Sequence, residues 1–231
     1  MGETVTIRTP DGEFDAYVAR PSAERAPAVV VIQEIFGVNA VMRGIADDYA
    51  AEGYLAVCPD LFWRIEPGVD ITDQSEAEWK KAFELYNAFD VDHGVKDIAA
   101  AIALARADKR SNGKVGSVGF CLGGLLAFLS ATRTDVDAAV AYYGVGIEKH
   151  LGETESLEAP LMLHIAEEDQ FVPKEAQALI VAALKNHRQV DICTYPGRDH
   201  AFARKGGEHY DAADAAKARA RTLAHFKKAL G

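Results

Sequence analysis

Six short apolar runs, alternating with segments of helical periodicity, constrain this chain more than any other feature. Residues 29–33 (VVVIQ), 54–58, 114–120, 138–143, 160–165 and 190–195 are rich in β-branched or apolar side chains. That is the pattern of strands buried on both faces. Helical periodicity falls over residues 41–52, 76–89, 92–107, 123–132, 174–186 and 210–230. Ahead of this set, alternating segments 4–9 and 13–19 flank Pro10-Asp11-Gly12, a strong hairpin turn. The expected class is α/β: a mostly parallel central sheet with helices on both faces and an N-terminal antiparallel hairpin. No repeat or linker interrupts the pattern, and residues 67–74 (PGVDITDQ) read as a surface loop. At 231 residues the expectation is one domain, residues 1–231.

Charge and cysteine usage narrow the function. Thirty-five acidic against twenty-five basic residues give a net charge of -10, which repels phosphate backbones and anionic membranes, so neither nucleic acid nor a membrane is an expected partner. No apolar run approaches the length of a membrane span, and the start MGETVTIRTPDGEF lacks signal-peptide character. A soluble, cytoplasmic protein is expected. Cys58, Cys121 and Cys193 are odd in number and lack CxxC spacing, which suggests neither a disulfide framework nor a zinc site. The histidines show no metal-ligand spacing, and no G-x-G-x-x-G or P-loop motif is present, so neither a metal nor a cofactor is expected.

The chemistry is concentrated at Gly119-Phe120-Cys121-Leu122-Gly123-Gly124, between the apolar run 114–120 and the helical run LLAFLSA. This is the G-x-nucleophile-x-G form of a strand-to-helix elbow, in which flanking small residues permit a sharp, strained turn. The helix start beneath the turn offers N–H groups and partial positive charge that favour a thiolate and, later, an oxyanion. Taken alone, a cysteine before a helix is more often a small core residue. Two further residues change that balance. Asp169, in His164-Ile165-Ala166-Glu167-Glu168-Asp169-Gln170-Phe171-Val172-Pro173, follows the run 160–165; His200, in Gly197-Arg198-Asp199-His200-Ala201-Phe202, follows the run ending at Tyr195. Nucleophile, acid, histidine is the chain order of the α/β-hydrolase fold. The imidazole accepts and returns the thiol proton, and the carboxylate fixes its tautomer. Glu167, Glu168 and Asp199 are rival acids, with Asp169 in the best register before the Val-Pro helix start. His164 precedes the acid and reads as a buried strand histidine.

The first parallel strand ends in Gln33-Glu34-Ile35-Phe36-Gly37. The loop after an early strand supplies the second oxyanion N–H in such folds, which assigns Ile35 as donor with Leu122 as its partner. Glu34, directly after VVVIQ, is a desolvated carboxylate with either a functional task or a buried partner such as Arg43.

The elbow GFCLGG, with QEIFGVNA, AVCPDLF, SNGKVG, YYGVG and HAFAR, resembles the dienelactone hydrolase (carboxymethylenebutenolidase) family through nearly the whole chain. The resemblance implies cofactor-free hydrolysis of a dienelactone to maleylacetate in the breakdown of aromatic compounds, by a monomer. It places the triad on Cys121, Asp169 and His200. It also implies that Glu34 holds the resting cysteine as a neutral thiol and swings away when substrate binds, and that Arg204 grips a substrate carboxylate. A second family arginine is replaced by Trp79, and Phe83 stands in place of a tyrosine, so the pocket loses a cation and a hydroxyl. A different, bulkier or less acidic ester or lactone is the alternative substrate. Phe36, Trp79 and Phe83 are the remaining pocket candidates, together with one of Tyr142 and Tyr143, of which Tyr142 is the first choice. Tyr86 reads as core. A thiol-dependent ligand binder without turnover is the rival of a different class.

Overall fold

The computed structural model describes residues 2–231. Eight strands, β1 (Glu3–Thr9), β2 (Gly12–Ala19), β3 (Ala26–Ile32), β4 (Leu55–Pro59), β5 (Ser111–Phe120), β6 (Ala138–Tyr142), β7 (Leu161–Ala166) and β8 (Val190–Tyr195), lie in the order β1-β2-β4-β3-β5-β6-β7-β8. Six helices accompany them: α1 (Ala40–Ala51), α2 (Glu76–Ala88), α3 (Val91–Ala107), α4 (Leu122–Arg133), α5 (Lys174–Leu184) and α6 (Ala212–Leu230). The mostly parallel sheet with an antiparallel N-terminal hairpin is the expected class. The chain forms two compact units, residues 1–117 and 118–231, divided inside β5.

In the first unit, β1 and β2 pair antiparallel from Glu3↔Val18 to Thr9↔Gly12, so Pro10-Asp11 closes the hairpin. β2 is antiparallel to β4, and β4 is parallel to β3. Val29, Val30, Val31 and Ile32 are fully buried, as are Ala56, Val57 and Cys58. Burial on both faces explains why these strands show no polar alternation, and each large apolar side chain contributes roughly 1.5–3 kcal/mol. Asn39 caps α1 by accepting from the Met42 N–H at 3.1 Å. Ser75 and Glu78 form a reciprocal capping pair at the start of α2. The loop 67–74 is pinned by Asn39 Nδ2 donating to the Ile71 carbonyl at 2.9 Å, and by the Ile71 N–H donating to the Phe36 carbonyl.

In the second unit, β6, β7 and β8 are parallel neighbours. α4 is buried over ten consecutive residues, Leu122 to Ala131. A helix apolar on all sides has no solvent face and forms a rigid base for whatever precedes it. A 3-10 segment, Ile147–Ser156, follows β6. Ala→Asp at Ala127, which has no solvent exposure, is expected to abolish folding by burying an unpaired carboxylate, as read by circular dichroism of the purified protein.

Candidate active site

Three loops at the carboxyl ends of β5, β7 and β8 bring Cys121, Asp169 and His200 together in the second unit, the end of a parallel sheet where ligands bind. Cys121 caps α4 with φ 57° and ψ -116°, a backbone conformation L-residues rarely adopt. A Cβ on Gly119 would lie 1.8 Å from the Gly123 carbonyl oxygen, and one on Gly124 would lie 2.5 Å from the Tyr142 carbonyl oxygen. Both positions therefore need glycine, which explains the small residues read in the motif. The Cys121 N–H donates to the Tyr142 carbonyl at 3.1 Å, and its carbonyl accepts from Gly124 at 2.9 Å. Leu122 is the first residue of α4, in the set of N–H groups that an α-helix leaves without an intrahelical acceptor.

Asp169 is buried, and both its oxygens have fixed partners. Oδ1 accepts from the Phe171 N–H at 2.8 Å and the Val172 N–H at 3.1 Å. Oδ2 lies 2.8 Å from His200 Nδ1. Asp169 is the acid whose carboxylate meets the imidazole. Glu168 pairs with Lys174 at the surface, and Asp199 accepts from the N–H groups of His200 and Gln170, tying the two loops together by backbone contacts. Cys121 also acts on the His200 ring. Burial alone would lower the basicity of this imidazole, but whenever the Cys121 sulfur is ionised its charge, with the Asp169 carboxylate, outweighs burial and raises the pKa to about 10. At the other two thiols burial prevails. Burial pushes Cys58 up strongly, reinforced by Asp60, and Cys193 is likewise raised by burial.

Three non-glycine residues have positive φ among the described residues: Cys121, Tyr143 (38°) and Ala201 (62°). All three border this constellation. Tyr143 packs edge-on against His200 with ring centroids 5.0 Å apart, and Phe171 does so at 4.8 Å. Tyr143 is thus the strand-end tyrosine beside the imidazole. Tyr142 turns instead into the interior, its hydroxyl 2.7 Å from Thr222 Oγ1. Phe171 is a residue that the sequence reading missed. Its signal was position alone, two residues beyond the acid in a loop that the acid itself folds. Arg204 is buried, and its N–H donates to the Ala201 carbonyl at 2.9 Å in the turn after His200. His164 is buried in β7, as read from its place in the chain, and burial lowers its pKa to about 3.

The remaining candidates lie in the first unit, after β3. Glu34, Ile35 and Phe36 are buried. Gln33, with no solvent exposure, accepts from the Leu61 N–H at 3.0 Å and reaches the Glu34 carbonyl with its amide, bracing this loop. Arg43, considered as a partner for Glu34, pairs instead with Asp70 at 2.8 Å. Phe36 meets Trp79 edge-on at 5.1 Å, and Trp79 stacks on Phe83 at 5.6 Å. The three aromatic candidates therefore form one cluster, with the outermost, Phe83, 40% exposed.

This topology, with an elbow, an acid loop and a histidine loop in that order, defines the α/β-hydrolase class. The model of the dienelactone hydrolase family matches residues 14–230. The carboxymethylenebutenolidase of Pseudomonas putida is 43% identical over 224 residues, spanning 96% of this chain and 95% of that one. An Azospirillum brasilense relative is 51% identical over 223 residues, 96% of each chain. A Klebsiella pneumoniae crystal structure assigned to the dienelactone hydrolases superposes with a TM-score of 0.87 at 26% identity, covering 99% of this chain and 98% of that one. The chain belongs to the dienelactone hydrolase family, and it is a hydrolase of that type.

Proposed function

We propose that this protein cleaves a small lactone or ester through an acyl-thioester on Cys121. The observation that carries this reading is the convergence of Cys121 and Asp169 on the His200 ring, with Asp169 Oδ2 2.8 Å from Nδ1. Sγ attacks the carbonyl carbon, and His200 holds the thiol proton. The tetrahedral oxyanion takes hydrogen bonds from backbone N–H groups, that of Leu122 at the start of α4 among them. Collapse breaks the acyl–oxygen bond, and the leaving oxygen takes the proton from His200. A water molecule then gives a proton to His200 and attacks the thioester. The acid departs, and the proton returns to the sulfur. Asp169 keeps Nδ1 protonated, so that Nε2 is the nitrogen that exchanges protons.

Arg204 fits recognition of a substrate carboxylate, since a guanidinium can hold both carboxylate oxygens at once. A dienelactone that carries such a group is the substrate we favour, which agrees with the names of the relatives. The aromatic cluster of Phe36, Trp79 and Phe83 favours a second substrate reading, an ester with a larger apolar portion. The acidic composition and the lack, among the described residues, of any helix able to cross a membrane suit a cytoplasmic monomer acting on small molecules. Parallel steady-state assays on a dienelactone and on p-nitrophenyl acetate test the choice. A kcat/KM at least about tenfold higher for the dienelactone, lost in Arg204→Gln, is expected; preference for the aryl ester in both proteins would favour the second reading.

On the reading that Glu34 keeps the resting thiol protonated, Glu34→Gln changes the labelling of Cys121. Iodoacetamide is expected to modify the variant several-fold faster than the wild type in the absence of substrate. Equal rates, followed by mass spectrometry, would remove Glu34 from the mechanism.

A further inference from the structure

Beneath the elbow lies a buried polar series that the proposed chemistry does not use. Arg221 Nη1 donates to Tyr195 Oη at 3.2 Å, Tyr195 Oη lies 2.8 Å from His164 Nδ1, and His164 Nε2 lies 3.0 Å from Thr222 Oγ1. Thr222 Oγ1 is in turn 2.7 Å from Tyr142 Oη. His164, Thr222, Tyr195 and Tyr142 are all buried.

A guanidinium only donates, so Tyr195 Oη accepts from Arg221, and its own hydrogen is available to His164 Nδ1. With Nδ1 as the acceptor, Nε2 carries the hydrogen given to Thr222. Burial, with Arg221 and His225 nearby, lowers the His164 pKa to about 3, consistent with an imidazole that stays neutral and holds this tautomer.

The far end of the series meets the nucleophile turn, and a second contact ties it back to His164. The Tyr142 carbonyl accepts the Cys121 N–H, and the Tyr143 N–H donates at 2.8 Å to the backbone carbonyl of His164 itself. Tyr143 is the strained residue that packs against His200. His164 thus grips the Tyr142-Tyr143 pair by its carbonyl on one side and by its ring, through Thr222 on α6, on the other.

Building on the proposed thiol chemistry, we infer that His164 and Thr222 are positioning residues for the reaction: they set the Tyr142-Tyr143 backbone on which the alignment of Cys121 and His200 depends. Without the Thr222 hydroxyl, the Tyr142 ring keeps its packing against Phe120 and His164 but loses the hydrogen bond that fixes its seat, and the attacking sulfur shifts against the imidazole. Displacements on the ångström scale are enough to cost one to two orders of magnitude in turnover.

The test compares Thr222→Val, which removes the hydroxyl at nearly constant shape, with Thr222→Ser, which keeps it. Turnover of p-nitrophenyl acetate and iodoacetamide labelling of Cys121 are measured well below the melting temperature. Thr222→Val is expected to lower kcat about tenfold or more, with KM within about twofold of wild type, and Thr222→Ser to recover most of the loss. If Thr222→Val does not fold, Tyr142→Phe, which removes only the far hydroxyl, is expected to show the same selective fall in kcat. Wild-type kcat in a folded Thr222→Val or Tyr142→Phe protein would overturn the inference, as would a Thr222→Ser protein no faster than Thr222→Val. Cys121→Ala, assayed alongside, keeps the two claims separate. Full activity in that variant would sink the thiol mechanism itself, whereas an inactive Cys121→Ala beside an unimpaired Thr222→Val would sink only the positioning role.

Discussion

Cys121→Ala is expected to lower kcat on any substrate the enzyme accepts by about 10³-fold or more while leaving the melting temperature within a few degrees of wild type. Removing a nucleophile abolishes the covalent route and leaves only binding and oxyanion stabilisation, which accounts for the size of the effect. The fold should tolerate the change, because the sulfur sits at a helix cap and the glycines around it make the close contacts. A second signature follows from the charges. Burial works to lower the His200 pKa, and charge on the Cys121 sulfur is the largest influence that raises it. In Cys121→Ala that influence is gone, and the imidazole should titrate well below about 10 when followed by NMR. A His200 that still titrates near 10 in the variant would mean that the sulfur and the ring are not coupled as described.

Asp169→Asn is expected to reduce kcat by about 10²–10⁴-fold, because an amide cannot hold the Nδ1 hydrogen with the same charge and tautomer. The effect on pH dependence has a definite sign. A pKa raised from its ordinary value near 6.5 to about 10 means that the imidazolium, and the stabilising interaction it makes, persist from neutral pH upward and are lost as pH rises through about 10. The wild-type rate should therefore hold up to that region and then decline. Asp169 is one of the groups that raise the value, so in the asparagine variant the decline should begin at lower pH. An unmoved alkaline limb in a folded variant would separate Asp169 from the imidazole.

The site was more legible in the sequence than some of its supports. Cys121, Asp169 and His200 announce themselves because each sits just past an apolar run, in an order that a parallel sheet turns into proximity. Strand ends were less clear: β5 begins at Ser111, ahead of the apolar run, because Asn112 and Lys114 are at least partly solvent-exposed there and carry no burial signal. The 3-10 segment Ile147–Ser156 was invisible because its IEKHLGETES sequence has no 3.6-residue period and buries only Ile147. Phe171 and Tyr143 reach His200 through loop backbone rather than periodicity. Phe171 is delivered by the turn that the Asp169 carboxylate caps, and Tyr143 by a left-handed residue that no propensity favours. Tyr142, read as the first choice of the two tyrosines for the pocket, goes inward because Thr222 waits there with a hydroxyl. Adjacent strand residues alternate in direction, and nothing in Tyr-Tyr says which of them finds a partner in a helix eighty positions later.

The three positive-φ residues at 121, 143 and 201 carry a consequence for how such an enzyme can change. Left-handed backbone at a non-glycine residue costs on the order of 1 kcal/mol or more, so glycine at 143 or 201 would relieve that cost. Glycine there would also remove the Tyr143 ring from beside His200, or let the histidine loop wander. At 201, where only a methyl is lost, a population selected for heat resistance alone would be drawn toward glycine and would lose turnover as it gained endurance; at 143 the buried ring outweighs the strain, and glycine would cost both.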